Sequence, residues 1–168
     1  MSAELLTLTY GAFVHKLIME TGNSEEVNTL LDKMGFNIGC RLVDDFFAKS
    51  PGQQLCHDFR ETAEVISKQA FKMFLGVQAE VSNFNDEEKS FSLILTENPL
   101  AEYVILPQQH RELWYSNVIC GVIRGALEML NMKTNVYFVK DNLRGHNMNE
   151  IRVELKEIVK DKYEDDDN

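Results

Sequence analysis

A thiol, an imidazole and a carboxylate stand in a row at Cys56-His57-Asp58, and this is the stretch of the chain whose residue types could do chemistry. As a nucleophile with its base and orienting acid, the three fail on geometry. Adjacent side chains point apart, and catalytic partners meet through the fold. As a lone reactive thiol, Cys56 is better placed, just ahead of a helix start where the positive end of the dipole favours thiolate and His57 adds to the effect. An unmodified loop cysteine fits the spacing equally well. Cys40 and Cys120 fall inside apolar helical rows and read as small core residues. His15, His57, His110 and His146 share no metal-ligand spacing, and no two cysteines have it either. The glycine pairs Gly35/Gly39 and Gly121/Gly125 are not followed by the Lys-Ser/Thr of a phosphate-cradling loop.

Helices and hairpins must position these residues. Leu6, Tyr10, Phe13 and Leu17 recur at helical spacing and predict a first helix from Ala3 to Glu20. Asn23 with Glu26 makes a capping box for a second helix, closed by Ser50-Pro51-Gly52. That helix carries two apolar rows: Val27, Leu31, Met34, Ile38, Leu42 and Phe46, then Phe36, Cys40, Val43 and Phe47. A surface helix needs one apolar face, so this one either meets another subunit on its second side or is the central buried helix. Gly35 and Gly39 suit a place where backbone or ligand approaches closely. A third helix is expected from Asp58 to Gly76 with an inner row of Phe59, Ala63, Ile66, Ala70 and Met73. The period then drops to two in Val77, Ala79 and Val81, and a polar loop, Asn83 to Ser90, leads to Phe91–Leu95, a hairpin. Asn98 to Leu113 reads as an irregular crossover, Trp114 to Met132 as a fourth helix, and Asn135–Lys140 with Ile151, Val153 and Leu155 as a second hairpin. Together these give an α+β fold, an antiparallel sheet packed on a layer of helices. It forms one domain over residues 1–160, followed by an acidic tail, 161–168, expected to be disordered.

Composition narrows the function. The 168 residues can bury a core without disulfides or metals. A net charge of −10 argues against nucleic acid, which needs a basic stripe. Three scattered cysteines and no glycosylation sequon favour a reducing compartment. No apolar run reaches the length of a membrane span, and neither a secretory signal nor a lipidation box is expected, since Ser2 follows Met1.

Several segments resemble one known family. Leu6-Thr-Leu-Thr-Tyr-Gly-Ala12, Leu31-Asp-Lys-Met-Gly-Phe-Asn-Ile-Gly39, Cys56-His-Asp-Phe-Arg-Glu-Thr-Ala63 and Ala70-Phe-Lys-Met-Phe-Leu-Gly76 match the subunit 3 family of the transport protein particle (TRAPP) complex. So do Phe91–Leu95, Asn98-Pro-Leu100, Tyr115-Ser-Asn117 and Cys120–Met129. The match covers residues 4 to 155 in order and weakens at Ser50–Leu55, at Asn131–Asn149 and in the tail. The resemblance implies a small structural subunit and not an enzyme, paired through its first two helices with other small TRAPP subunits, or with itself when isolated. It implies work in endoplasmic-reticulum-to-Golgi transport, in a cytoplasmic complex peripheral at the cis-Golgi and endoplasmic reticulum that tethers vesicles and promotes guanine-nucleotide exchange on a Rab GTPase. It also implies an internal hydrophobic tunnel holding palmitate, or a similar long acyl chain, as a thioester on Cys56, with no cofactor required. Ala63 and Ala70, seven apart, would leave the channel open, and Ile66, Ile38, Leu42 and Val122 would wall it, Ala70 being the most specific of these. The family pattern has a basic residue before the cysteine where this chain has Leu55, a change that raises the thiol pKa and slows self-acylation. In the assembled complex, the family's C-terminal tail reaches the GTPase; here Tyr163–Asn168 diverges, and a solubilising acidic tail is the other reading.

Two rivals remain from the residues. One is a lipid- or small-ligand-binding sensor using the same tunnel, marked by an exchangeable ligand. The other is a cysteine-dependent acyltransferase or thioesterase, which would need turnover onto a second acceptor, and for which the chain supplies no general base.

Overall fold

A computed structural model of the chain describes residues 2–87 and 89–159, so the acidic tail lies outside the described residues. Helix α1, Ala3–Thr21, starts at Ser2, whose hydroxyl accepts the Leu5 amide, and stops at Gly22 with φ 67°. Helix α2, Ser24–Lys49, is capped by Asn23 Oδ1, which accepts the amides of Glu25 and Glu26. In α1 the buried side chains are Thr7, Tyr10 and Val14; Phe13, expected in the core row, is 38% exposed.

The expected third helix is one rod in three parts: α3, Phe59–Val65; a π turn, Ile66–Ala70; and α4, Phe71–Leu75, ended by Gly76 with φ 73°. Within the π turn, the Phe71 amide bonds the Ile66 carbonyl, five residues back. Five-residue spacing turns the chain by less than the α-helical 100° per residue. The buried row therefore runs Phe59, Ala63, Ser67, Phe71 rather than stepping to Ile66 and Ala70.

Strands β1, Glu80–Asn85; β2, Ser90–Leu95; β3, Met132–Lys140; and β4, Asn149–Ile158 form an antiparallel sheet of order β1-β2-β4-β3. Val77 to Ala79 precede the first strand instead of opening it. Register sets Phe91 and Val136 beside Val153, and Leu93 and Phe138 beside Ile151, so these residues share one face. All are buried and form the core with the helices. On the other face Arg152 donates to Ser90 Oγ at 2.6 Å and to the Asn83 carbonyl at 2.8 Å.

Helix α5, Val118–Glu128, is shorter than the expected Trp114–Met132. Asn28 holds the approach as a loop, accepting the Trp114 amide at 2.7 Å and the Asn117 side chain at its carbonyl at 2.8 Å. Asn131, with φ 61°, turns the chain into β3.

The second apolar side of α2 packs within the chain, on α5. A Cβ added at Gly35, Gly39, Gly121 or Gly125 would fall closer than 3.0 Å to the carbonyl oxygen of Val118, Val122, Asp32 or Phe36 respectively. The two helices touch backbone to backbone, and an Arg124–Asp32 ion pair at 2.6 Å closes over the contact. The surplus face of α2 is therefore used inside the molecule. The helix left with an apolar row in solvent is α1, where Leu5, Leu8 and Met19 are 53%, 69% and 72% exposed.

Candidate functional site

Small residues at the α2–α5 contact draw the helices together there and leave space beside them. A cavity of about 310 Å³ lies between α2, the α3–α4 rod and α5. From α2 its wall runs from Met34 through Ile38 and Leu42 to Phe47, thirteen helical rises or roughly 20 Å, of the order of an extended long-chain acyl group. From the rod come Thr62, Ile66, Ala70 and Phe74, a four-residue row that the π turn keeps on one face. Val118, Val122 and Ala126 of α5, with Leu130 just beyond its end, form the third wall. Leu6 and Tyr10 of α1 and Leu100 also line it, and the Tyr10 hydroxyl donates to the Tyr115 carbonyl just ahead of α5.

Cys56 lies on this wall with Gln53, Gln54 and Leu55, in the segment joining α2 to α3. The local fold explains its position. Asp58 caps α3 by accepting the Glu61 amide at 2.7 Å, and Glu61 Oε2 reaches back to the His57 amide at 2.6 Å. This reciprocal cap holds the backbone rigidly one residue after the thiol. Thr62, buried, donates its hydroxyl to the Asp58 carbonyl at 2.9 Å and lies on the same cavity wall as Cys56.

Electrostatics at the thiol run opposite to the helix-dipole expectation. Burial pushes the Cys56 pKa above its ordinary value, the Thr62 side chain opposes this, and the carboxylates of Glu61 and Asp58 add to the rise. The thiol is half-buried and free. A neutral sulfur beside hydrocarbon is a poor resting nucleophile, yet well placed to carry an apolar substituent into the cavity.

Of the residues singled out in the sequence, Cys56, Ile38, Leu42, Ile66, Ala70 and Val122 all line the cavity. Ala63 does not. It is fully buried toward the sheet side of the rod, because the π turn separates residues seven apart that a plain α-helix would align. Thr62, Phe74 and Tyr10 are lining residues that the sequence reading missed. The spacing of Thr62, Ile66, Ala70 and Phe74 was visible, but only a π turn makes it a straight row. Cys120 is fully buried and Cys40 half-buried against the Gly125 carbonyl, away from Cys56. Among the described residues no group of three or more His, Cys, Asp or Glu side chains could hold a metal, and no helix is long and apolar enough to cross a membrane.

A model of the transport protein particle (TRAPP) component family matches residues 6–154. Transport protein particle subunit bet3 of Schizosaccharomyces pombe is 52% identical over 161 residues, covering 95% of this chain and 87% of the relative. Trafficking protein particle complex subunit 3 of Dictyostelium discoideum is 50% identical, covering 95% and 86%. Among solved structures, trafficking protein particle complex subunit 3 from Naegleria fowleri, covalently bound to palmitic acid, superposes with a TM-score of 0.90. It is 44% identical, with 95% of this chain and 98% of that chain covered. The phenol-responsive sensory domain of the transcription activator PoxR, 15% identical at a TM-score of 0.62, shares the fold alone, over 89% of this chain and 74% of that one.

Proposed function

Because the chain belongs to the TRAPP component family, as a subunit of that complex, we propose that it is a non-catalytic core subunit whose cavity stores a long acyl chain, palmitate or similar, as a thioester on Cys56. The observation that carries this reading is the place of the Cys56 thiol on the wall of an otherwise apolar cavity. The covalent palmitic acid of the Naegleria fowleri relative supports it. Cys56 holds the acyl group, Ala70 leaves room for it, and Ile38, Leu42, Ile66 and Val122 are the hydrocarbon it touches. Buried along its length, such a chain acts as core material and cannot also enter a bilayer.

The same reading assigns the complex to endoplasmic-reticulum-to-Golgi transport, in the cytoplasm and peripheral to those membranes, with nucleotide exchange on a Rab GTPase a property of the assembly. The exposed row on α1 is the surface for a neighbouring small subunit, or for a second copy when the chain is alone.

Intact mass under denaturing conditions, before and after hydroxylamine, tests the acyl site. The expected result is an excess equal to one long acyl chain, removed by hydroxylamine and absent from Cys56→Ser. An unmodified mass in protein taken from its own cells would overturn the acyl reading and leave the TRAPP assignment standing.

A further inference from the structure

The apolar cavity has a far end, and its walls locate it. Gly35 backs onto the Val118 carbonyl and Gly39 onto the Val122 carbonyl, so α2 and α5 run in the same direction. Met34 and Val118 therefore mark one end of the space, and Phe47 and Leu130 the other. The α3–α4 rod starts just after Cys56, beside the end of α2, and runs back along it. Leu75, the last residue of α4, is thus the rod's lining residue farthest from the thiol, roughly 20 Å beyond Thr62. The same side chain also borders a second space, a groove of about 700 Å³ whose polar lining includes Glu97, Asn98, Asn142 and Asn149. Leu100 lines the apolar cavity, while its neighbours Pro99 and Ala101 line the groove. Leu75 and Leu100 therefore form a partition between hydrocarbon walls and a polar groove. It is braced on both sides. The Leu100 amide donates to Asn98 Oδ1 at 3.1 Å, and Asn98 donates to Ser116 Oγ at 2.7 Å. Thr7 of α1 donates to the Pro99 carbonyl at 2.7 Å, and Gly76 caps α4 directly after Leu75.

Resting on the reading of Cys56 as an acyl site, we infer that Leu75 and Leu100 are the length stop for the chain attached there, and that they decide which acyl group the protein accepts. From Cys56 the hydrocarbon runs along the wall to this partition, a path of the order of an extended palmitoyl chain. A longer chain has two ways to fit. It folds back and overfills close-packed walls, or it pushes past Leu75 and sets its last methylenes against Glu97, Asn98 and Asn149. A shorter chain leaves the far end without contacts and buries less hydrocarbon. Attachment itself is a thioester exchange. The Cys56 sulfur gives up its proton and bonds the donor's carbonyl carbon; the bond to the donor's sulfur breaks, and the departing thiolate takes up a proton. One thioester is made and one broken, with no oxidation or reduction, so selection rests on the chain and not on the chemistry.

The test uses the full chain, deacylated with hydroxylamine, and an equimolar mixture of myristoyl-, palmitoyl- and arachidoyl-coenzyme A held below micelle-forming concentration. Intact mass then counts the three products on Cys56 in one tube, in the native chain, in Leu75→Ala and in Leu75→Phe. The readout is the ratio of products, which cancels any change in the thiol's own reactivity; comparing variant with native cancels differences between the donors. In the native chain palmitoyl is expected to exceed arachidoyl by about tenfold or more, the discrimination a closed apolar pocket makes against surplus methylenes. Leu75→Ala opens the partition, and its arachidoyl-to-palmitoyl ratio should rise about tenfold toward equal labelling. Leu75→Phe brings the stop closer to the thiol and should move the preference from palmitoyl to myristoyl. The two substitutions change volume in opposite directions, so if one fails to fold the other decides. Equal palmitoyl and arachidoyl labelling of the native chain, or ratios indifferent to both substitutions, would overturn the length stop and leave the acyl site standing. No labelling of Cys56 by any donor would overturn the acyl-site reading, and the stop with it.

Discussion

Stripping the acyl chain from the folded protein with neutral hydroxylamine should lower its thermal stability by an amount the cavity lets one calculate. A palmitoyl group brings about 14 methylenes, and burying each is worth ~0.8 kcal/mol, a gross gain of about 11 kcal/mol. Ordering the chain opposes this. Long side chains lose about 1.5–2 kcal/mol for three or four rotors, so a chain of this length loses about 6 kcal/mol. The net is about 5 kcal/mol, and for a domain of this size each kcal/mol moves Tm by about 2–4 °C. Differential scanning calorimetry should therefore place the deacylated protein about 10–20 °C below the acylated one, with Cys56→Ser melting near the deacylated form. The calculation assumes that the chain lies along the wall from Met34 to Phe47. A difference under about 3 °C would mean that the chain remains in solvent, and the storage argument would fail even with the thioester present.

Ala70→Leu places three more carbons in the middle of the cavity row. It should abolish the acyl mass increment while raising the Tm of the unacylated protein by about 1 kcal/mol equivalent, the usual return for filling a void. Gly121→Ala drives a methyl group into the Asp32 carbonyl and should cost about 1–3 kcal/mol or more, read as a lower midpoint in denaturant melts. Asp141 is buried with its Oδ2 unpaired, and burial raises its pKa above the ordinary value of 3.8. The folded state thus favours the protonated form; that contribution is complete below pH 3.8 and is lost as pH climbs through the folded pKa. Asp141→Asn, which can still accept the Leu143 amide, should lack this loss, so its stability relative to the native chain should rise with pH from 3.8 upward in melts across that range. Leu8→Arg on the exposed row of α1 should leave Tm nearly unchanged, within about 0.5 kcal/mol, yet prevent co-purification with neighbouring TRAPP subunits.

Much of the fold was legible because local rules decided it. Asn23 and Asp58 cap where they were read to cap, Gly22 and Gly76 end their helices with positive φ, and two-residue alternation marked Ile151–Leu155. Misjudgements came where a distant partner outweighed local pattern. Trp114 to Asn117 have helical composition, but Asn28, far away in sequence, takes their hydrogen bonds and holds them as a loop. The second apolar row of α2 reads by itself as a subunit interface, with a core contact as the other reading. Only the pairing of Gly35 and Gly39 with Gly121 and Gly125, invisible until α5 is laid alongside, decides for the core.

The site shows the same division more sharply. Cys56 could be picked from its residue type and its place before a helix, and Ala70 from its small size, but the thiol's reactivity could not be read from either. A helix start predicts a lowered pKa, whereas burial beside the cavity, with Glu61 and Asp58 adding to it, produces a raised one. Ala63 failed for a backbone reason. Seven residues span nearly two α-helical turns, but one π turn between them puts Ala63 toward the sheet and Ala70 toward the cavity. That turn also aligns Thr62 with Ile66 and Ala70 along the cavity wall. The π turn thus does something no side-chain pattern announced: it straightens the rod's wall of the cavity, from Thr62 to Phe74, opposite α2.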